Sequence, residues 1–511
     1  MVVRSLIAVG SAGLVVEIEC HLANNLPNII IVGFANKAVT EARERLRGAF
    51  ASSKLELPRK RIVINLAPAD IPKADSGFDL AIAVSIIAAA GQLLPNVLDQ
   101  AAVIGELGLD GQTRPVRGII GKLLAGRAQN ITTFYIPRSN LLQASLIPGL
   151  TLLPVDSLEQ LYGHLTGKND IPSIYTNNNQ PVQNEMSHNV EVAAGGAVLS
   201  SVVGQAQAKR ALQIAAAGGH NVLLSGPPGT GKSMLAKAMP SIMPPLSREE
   251  ILEVTHLHSL ASHDYEQVLT ERPVRAPHHS ASHTAIVGGG SNLKPGEITL
   301  AHRGILFFDE LPEFGRQTLE ALRQPLEDRS IRVVRVRDSV DYPANFILVA
   351  TANPCPCGFY GYTAAGTCRC NSAQLLQYYQ KLSGPIIDRL DLHASVHEVS
   401  HATLLTQPAD SHSDAVLRQT IVQARQRQQT RHPGLLNADL SNQLLQTHSQ
   451  LEPAAKTLLD QAAQKLQLSA RAYLRTVKVA RTIADLDNKS RVSPAHISEA
   501  IAYRPQLQAP V

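Results

Sequence analysis

No apolar run in this 511-residue chain reaches the roughly 18–20 residues of a membrane span. The longest, residues 80–90, is about half that length and is expected to form a buried helix. The N-terminus lacks the charged-then-apolar-then-cleavage pattern of a secretory signal, so a cytoplasmic chain with no membrane association is expected. Charge is sparse at 17%, below the usual quarter or so, and hydrophobic content is 44%, which excludes large disordered regions. The net charge of +5 is spread over the whole length; it permits nucleic-acid binding without arguing for it. Cysteines number only five, and without export disulfides are not expected. Four of the five fall within residues 355–370, which points to metal or to local structure. No internal repeat of roughly 20–50 residues is visible.

The length admits about three domains, each with its own core. Residues 1–170 alternate short apolar runs with helical segments. Residues 13–20, 29–33 and 61–66 are rich in Val and Ile and read as strands. Asn36 can cap a helix running to about Ala51, with Arg43, Glu44, Arg45 and Arg47 as a solvated face. Residues 171–190 are polar, rich in Asn and Gln and aperiodic, the composition of a linker. Across residues 191–396, strand-like runs at 221–225, 304–308 and 345–350 alternate with helices, the signature of a parallel sheet covered on both faces. Over residues 397–511 strand signals cease. Residues 453–466, 469–486 and 494–502 read as helices, the last opened by Ser493 and Pro494.

Between a strand-like and a helical stretch stand Gly226, Pro227, Pro228, Gly229, Thr230, Gly231, Lys232 and Ser233, the context a phosphate-binding loop requires. Its glycines let backbone N–H groups turn toward phosphates, and the helix N-terminus adds a favourable dipole. Lys232 is expected to reach the β- and γ-phosphates of ATP, and Ser233 to hold Mg²⁺. About 75 residues later, four apolar residues run into Asp309 and Glu310, at the strand end where α/β sheets bind ligands. Asp309 is expected to meet Mg²⁺ through water, and Glu310 to orient or deprotonate the attacking water. Asn353 ends a third strand and is the candidate sensor of the γ-phosphate; the alternative is a turn-forming Asn before Pro354. Arg389, between Asp388 and Asp391, suits a residue offered to a neighbouring subunit's γ-phosphate, which would make the active form an oligomer; the alternative is a local Arg–Asp ion pair. Arg471 shares a helical face with Arg475 and Lys478 and is the candidate second sensor, a solvated basic face being the alternative.

Cys355-x-Cys357 and Cys368-x-Cys370 lie ten residues apart. Two thiolate pairs on a short loop can complete a tetrahedral structural zinc site. Spacing of one residue is less usual for zinc than two, so free or redox-active thiols remain the alternative. Cys20 stands alone and is expected in the core. His278, His279 and His283 lack a nearby acid and follow Pro277, which fits a structural or interface role better than a zinc hydrolase.

Together these residues resemble the ComM/YifB family of magnesium-chelatase-like AAA+ ATPases, over most of the chain. Beyond the ATPase motifs, the likeness rests on Arg275-Ala276-Pro277-His278-His279-Ser280-Ala281-Ser282, Pro295-Gly296-Glu297-Ile298, Asp309-Glu310-Leu311-Pro312-Glu313-Phe314, Asn353-Pro354-Cys355-Pro356-Cys357-Gly358 and Ala480-Arg481-Thr482-Ile483-Ala484-Asp485-Leu486. The resemblance implies an α/β fold class throughout: a Lon-protease-like (S5-like) N-terminal domain, an AAA+ core with a parallel sheet, and a C-terminal helical lid. It also implies a homo-hexameric ring that moves along single-stranded and branched DNA and drives branch migration during natural transformation. A chelatase-type motor that remodels a protein partner is the second reading.

Some residues support DNA. Val334 and Val336 alternate with Arg335 and Arg337 ahead of an Asp338-Ser339 turn, which predicts a hairpin with a basic face. In related ring motors a hairpin there points into the channel, where Arg335 and Arg337 would grip phosphates in a salt-sensitive way; a solvated edge is the alternative. The glycine-rich residues 288–294, ending in Lys294, are a second candidate. The Lon-like likeness centres on residues 72–80 and on Pro115-Val116-Arg117-Gly118 with Lys122-Leu123-Leu124. The nucleophile position falls on or next to Gly77 and the base position on Ile120, with Ser76 and Lys122 out of register. No peptidase activity is expected; a scaffold or a DNA- or partner-binding collar is.

Overall fold

A computed structural model describes residues 2–9, 12–33, 37–69, 76–94, 96–177, 198–261, 267–290, 293–334, 339–362, 368–382, 386–399 and 413–504. The N-terminal part holds two four-stranded sheets. In the first, Val2–Val9 and Ala12–Ala23 form a long antiparallel hairpin, followed by Arg61–Ala67 and Asn28–Val32. Arg61–Ala67 alternates buried and less buried residues, the period-two pattern of a strand with one covered face. The apolar run at 80–90 forms the helix Asp79–Ala89, buried nearly all round.

The helix Lys37–Ser52 follows the sequence reading, although Asn36, its expected cap, lies outside the described residues. Arg45 departs from it. Arg43, Glu44 and Arg47 are exposed, but Arg45 turns inward to Asp79, with Nε donating to Oδ2 at 2.6 Å and Nη2 to Oδ1 at 3.0 Å. Burial pushes the Asp79 carboxyl up to about 6, against the pull of Arg45, so the guanidinium is what makes a carboxylate tolerable there.

The second sheet runs Ile174–Tyr175, Thr151–Val155, Thr133–Pro137 and Ala101–Val103. Residues 174–175, inside the stretch read as the start of the linker, therefore belong to this sheet. Ile171 is buried, and Ile174 pairs with Leu152. A two-residue strand is too short to show a period, so composition alone misled there. Residues 178–190 of the expected linker lie outside the described residues.

The central part is a five-stranded parallel sheet in the order Val274–Arg275, Ile305–Phe308, Ile347–Ala352, Val222–Ser225, Leu392–Ser395. Ile305–Phe308 and Ile347–Ala352 are buried along their whole length, as helices on both faces require. The C-terminal part is helical, with Asp414–Arg431, Pro453–Lys465, Ala470–Leu486 and Pro494–Ala502. At its centre Asp485 is fully buried and accepts from Arg481 (2.8 Å), Arg431 (2.6 and 2.5 Å) and Asn437 Nδ2 (2.8 Å). The 480–486 motif is thus a packing element, with an i,i+4 ion pair satisfied from three sides.

The N-terminal and central parts share a core. Leu246, Ile251, Val254 and Val268 pack with Leu6, Ile104, Ile119, Ile120 and Leu123. Gln143 Nε2 donates to the Gln267 carbonyl across the same junction, at 3.0 Å. Among the described residues no helix is long and apolar enough to cross a membrane.

Candidate functional site

Strand register gathers the expected nucleotide residues. Ser225 stands opposite Ala352, and Phe308 opposite Ala350, so Gly226, Asp309 and Asn353 leave the sheet at one end. The chain passes so close to Val396 that a Cβ on Gly226 would lie 2.1 Å from its carbonyl oxygen, which is why only glycine serves there. Lys232 Nζ donates to the carbonyls of Gly226 (2.7 Å) and Pro227 (2.6 Å) and to Asn353 Oδ1 (3.1 Å). Thr230 Oγ1 closes the loop on the Pro227 carbonyl at 2.9 Å. Burial lowers the Lys232 pKa, with Asp309 and Glu310 acting in the opposite sense.

Ser233 Oγ donates to both Asp309 carboxylate oxygens at 3.0 Å. A residue that sequence reasoning passed over completes this corner. Thr351 Oγ1 donates to Asp309 Oδ1 at 2.6 Å and accepts from the Glu310 N–H at 2.9 Å. One buried hydroxyl thus fixes the carboxylate and holds Glu310 in a left-handed conformation (φ 55°, ψ 58°), a strained setting for a non-glycine residue. Gln205 was also missed: its Nε2 reaches the His397 carbonyl (2.5 Å) and the Thr230 carbonyl (3.4 Å) behind the loop. The only signal was a polar residue just ahead of a helix. A hydroxyl beside an exposed carboxylate is a hard-oxygen donor set that fits Mg²⁺, and the adjoining ammonium fits a polyphosphate.

Arg389 lies elsewhere. Its turn, Ile387–Arg389, precedes Leu392–Ser395, and Leu392 stands opposite Val222. About four residues of strand, roughly 13 Å, therefore separate Arg389 from the phosphate loop that follows Ser225. Its Nη2 meets Glu327 Oε1 at 2.8 Å, and Arg471 pairs with that same oxygen. Asp391 turns instead to the Asn221 N–H (3.1 Å) and Arg475 (3.4 Å). Burial opposes its charge, yet His220 and Arg475 hold its carboxyl well below the usual range. Nor do Arg475 and Lys478 form a solvated face: Lys478 Nζ donates to the Ala438 carbonyl at 2.9 Å, and the adjoining Val477 and Ile483 are buried.

The four clustered cysteines converge. Their Sγ atoms all lie within 4.8 Å of one another, the one such metal-capable group among the described residues. The separations of 3.3, 3.8 and 3.6 Å compare with about 3.8 Å between thiolates at the corners of a zinc tetrahedron. The backbone N–H groups of Arg369 and Phe359 bring the Cys357 thiol down to about 6, whereas burial and the neighbouring thiols push Cys370 up to about 12. This loop rests on the candidate phosphate loop. A Cβ on Gly358 (φ +89°) would lie 2.6 Å from Pro228 Cδ, and Tyr378, on the following helix, donates to the Asn353 carbonyl at 2.8 Å. Of the histidines, His278 and His279 stack on each other and His279 meets the edge of Phe314. Arg275 and Glu297, from two different motifs, form one ion pair at 2.5 and 2.7 Å.

Ser330–Val334 and Ser339–Pro343 form the expected antiparallel hairpin, with Val334 68% exposed. Arg335 and Arg337, between these two strands in the sequence, lie outside the described residues. Gly289 pairs with Lys294 in a second small ribbon, and Tyr342 OH donates to the Leu293 carbonyl at 2.7 Å. The two stretches singled out separately for DNA thus lie side by side. In the N-terminal part, Ile120 and Lys122 are fully buried on the helix Ile119–Ala128.

A phosphate loop, an acidic strand end and a polar strand end on a parallel sheet of this order, with a helical domain behind them, define an AAA+ core. The sequence matches the families described as "Magnesium chelatase, subunit ChlI" over residues 198–404, "Subunit ChlI of Mg-chelatase" over 18–140 and "Magnesium chelatase, subunit ChlI C-terminal" over 411–504. It is 41% identical over 508 residues to the uncharacterized protein YifB of Salmonella typhimurium, covering 98% of this chain and 96% of that one. It is 39% identical over 512 residues to the competence protein ComM of Haemophilus influenzae, covering 99% and 98%. A 38 kDa magnesium-chelatase subunit of Rhodobacter capsulatus is 28% identical over 173 residues, 30% of this chain and 49% of that one. The chain belongs to the ComM/YifB family of magnesium-chelatase-like AAA+ proteins.

Proposed function

We propose that this protein is an ATP-hydrolysing ring motor, most simply a homo-hexamer, that moves on DNA and drives branch migration when incoming strands are recombined. The carrying observation is the pair of adjoining hairpins, one whose strands bracket Arg335 and Arg337 in the sequence and the other holding Lys294, both reached from elements that flank Asp309 and Glu310. The Haemophilus relative is a competence protein by name, which agrees with this reading.

In this reading Lys232 and the loop amides hold the β- and γ-phosphates, Ser233 and Asp309 hold Mg²⁺, and Asn353 and Glu310 orient the lytic water. Mg²⁺, when bound, neutralises charge on the transferring phosphoryl group. Arg389, remote from its own chain's loop, serves the site of a neighbouring subunit, and Arg471, which shares Glu327 with it, acts as the second sensor there. The likeness to chelatase subunits favours a second reading, remodelling of a protein partner.

The two diverge in one assay. Single-stranded DNA is expected to raise ATP turnover, and the protein with ATP is expected to migrate a four-way junction. Replacing Arg335 and Arg337 with Ala should weaken DNA binding uniformly across sequences and reduce the salt slope by roughly 1–2. Turnover indifferent to DNA, with no junction movement, would favour the protein-remodelling reading.

Zinc in the cysteine cluster is part of this proposal. Purified protein is expected to carry one zinc per chain by elemental analysis. Cys357→Ser with Cys370→Ser should remove the metal and lower turnover, because the loop braces Pro228 and Asn353. Metal-free protein with undiminished turnover would reject the brace.

A further inference from the structure

Two arginines from different domains end on one oxygen. Arg389 comes from the turn Ile387–Arg389 of the central domain and Arg471 from the first turn of the helix Ala470–Leu486, and both pair with Glu327 Oε1. A cation in the first turn of a helix is opposed by the helix dipole, so Arg471 has no local reason to be there; a carboxylate facing that end is favoured. Two guanidiniums this close also repel, and the anion between them is what lets them share a site. Neighbouring cations hold the Glu327 carboxyl below its ordinary range, the contact with Arg389 foremost.

The place of Glu327 in the chain matters as much as its partners. It lies on the helix Arg323–Asp328, which runs directly into the hairpin strand Ser330–Val334. Arg329, between the two, is held in a left-handed conformation (φ 53°) by its own grip on Asp439 of the C-terminal domain (2.7 Å) and on the Phe346 carbonyl (3.1 Å). The base of the hairpin is therefore attached, through Glu327 and Arg329, to the two arginines and to the helical domain.

We propose that Glu327 is a positioning residue: it presents Arg389 and Arg471 as a pair to the γ-phosphate bound by the neighbouring subunit, and exchange of the pair between Glu327 and that phosphate frees or fixes the hairpin. The inference rests on the ring-ATPase reading. When a γ-phosphate is present the guanidiniums leave Glu327 for the more highly charged anion, and the helix carrying the hairpin loses that anchor. When phosphate departs, they return.

The test is steady-state ATP turnover, first without DNA, in wild type, Glu327→Gln, Arg389→Ala and the double variant. Glu327→Gln is expected to lower kcat about tenfold with KM for ATP within about twofold, since the nucleotide is held by its own chain's loop. The double variant should lose less than the product of the two single losses, because part of what Glu327 does passes through that arginine. Glu327→Asp, one methylene shorter with the charge kept, should fall between wild type and Glu327→Gln, whereas an ordinary surface ion pair would leave all three alike. Glu327 is exposed, so folding should survive; the ring mass and melting temperature of each variant check this. Undiminished kcat in Glu327→Gln, or losses that multiply in the double variant, would overturn the role of Glu327 alone. Wild-type protein that turned over no ATP would instead remove the reading beneath it. With DNA added, Glu327→Gln should lose most of the stimulation of turnover that wild type shows.

Discussion

Glu310→Gln is expected to bind ATP and hold it unhydrolysed, with turnover reduced by roughly 10²–10⁴, the range that a positioned general base contributes. The substitution is nearly isosteric. The Glu310 backbone N–H would still donate to Thr351 Oγ1, and the Asp309 carboxylate would keep its bonds from Ser233 and Thr351. What disappears is an acceptor able to take a proton from water. Single-turnover hydrolysis with radiolabelled ATP, set beside nucleotide retention on a filter, separates the two effects. Hydrolysis within about threefold of wild type would show that the attacking water is activated elsewhere.

Arg389→Ala should lose still more, about 10³–10⁵ in turnover, which is what an arginine supplied to a transferring phosphoryl group is worth. On the proposed ring reading nucleotide affinity should hold, since Lys232 and the loop would belong to the other partner of each shared site. The sharper test mixes two inactive variants. A subunit carrying Arg389→Ala keeps its phosphate loop, and one carrying Lys232→Ala keeps its arginine. In a ring built from head-to-tail contacts, about a quarter of the interfaces in an equal random mixture bring the intact halves together. Activity should reappear on mixing. If it does not, while each variant still assembles, Arg389 works within its own chain or not at all.

Much of the geometry of the candidate site could be read from the chain because its residues are contiguous and its motifs local. Gly226 to Ser233 must sit between a strand and a helix, and Asp309 and Glu310 must end a strand, so spacing and hydrophobic pattern suffice. The helices at 453–465, 470–486 and 494–502 were legible for the same reason, with period and caps agreeing. What escaped depends on register between distant segments. Thr351 is an unremarkable hydroxyl until parallel pairing sets it beside Asp309. Glu327 is one acid among many until two domains deliver Arg389 and Arg471 to it. Arg45 has the spacing of a surface residue, and only the burial of Asp79, 34 positions away, turns it inward. The strand Ile174–Tyr175 borrows its order from Thr151–Val155 and carries no pattern of its own.

Leu246, Ile251 and Val254 close the same apolar cluster as Ile119, Ile120 and Leu123. Cutting the chain between residues 178 and 197 would therefore not yield two self-sufficient proteins: each fragment would carry half of a hydrophobic seam into water. Whatever stroke the ATPase makes, the N-terminal third is bolted to its helix Arg248–Ala261 and travels with it as ballast or as lever.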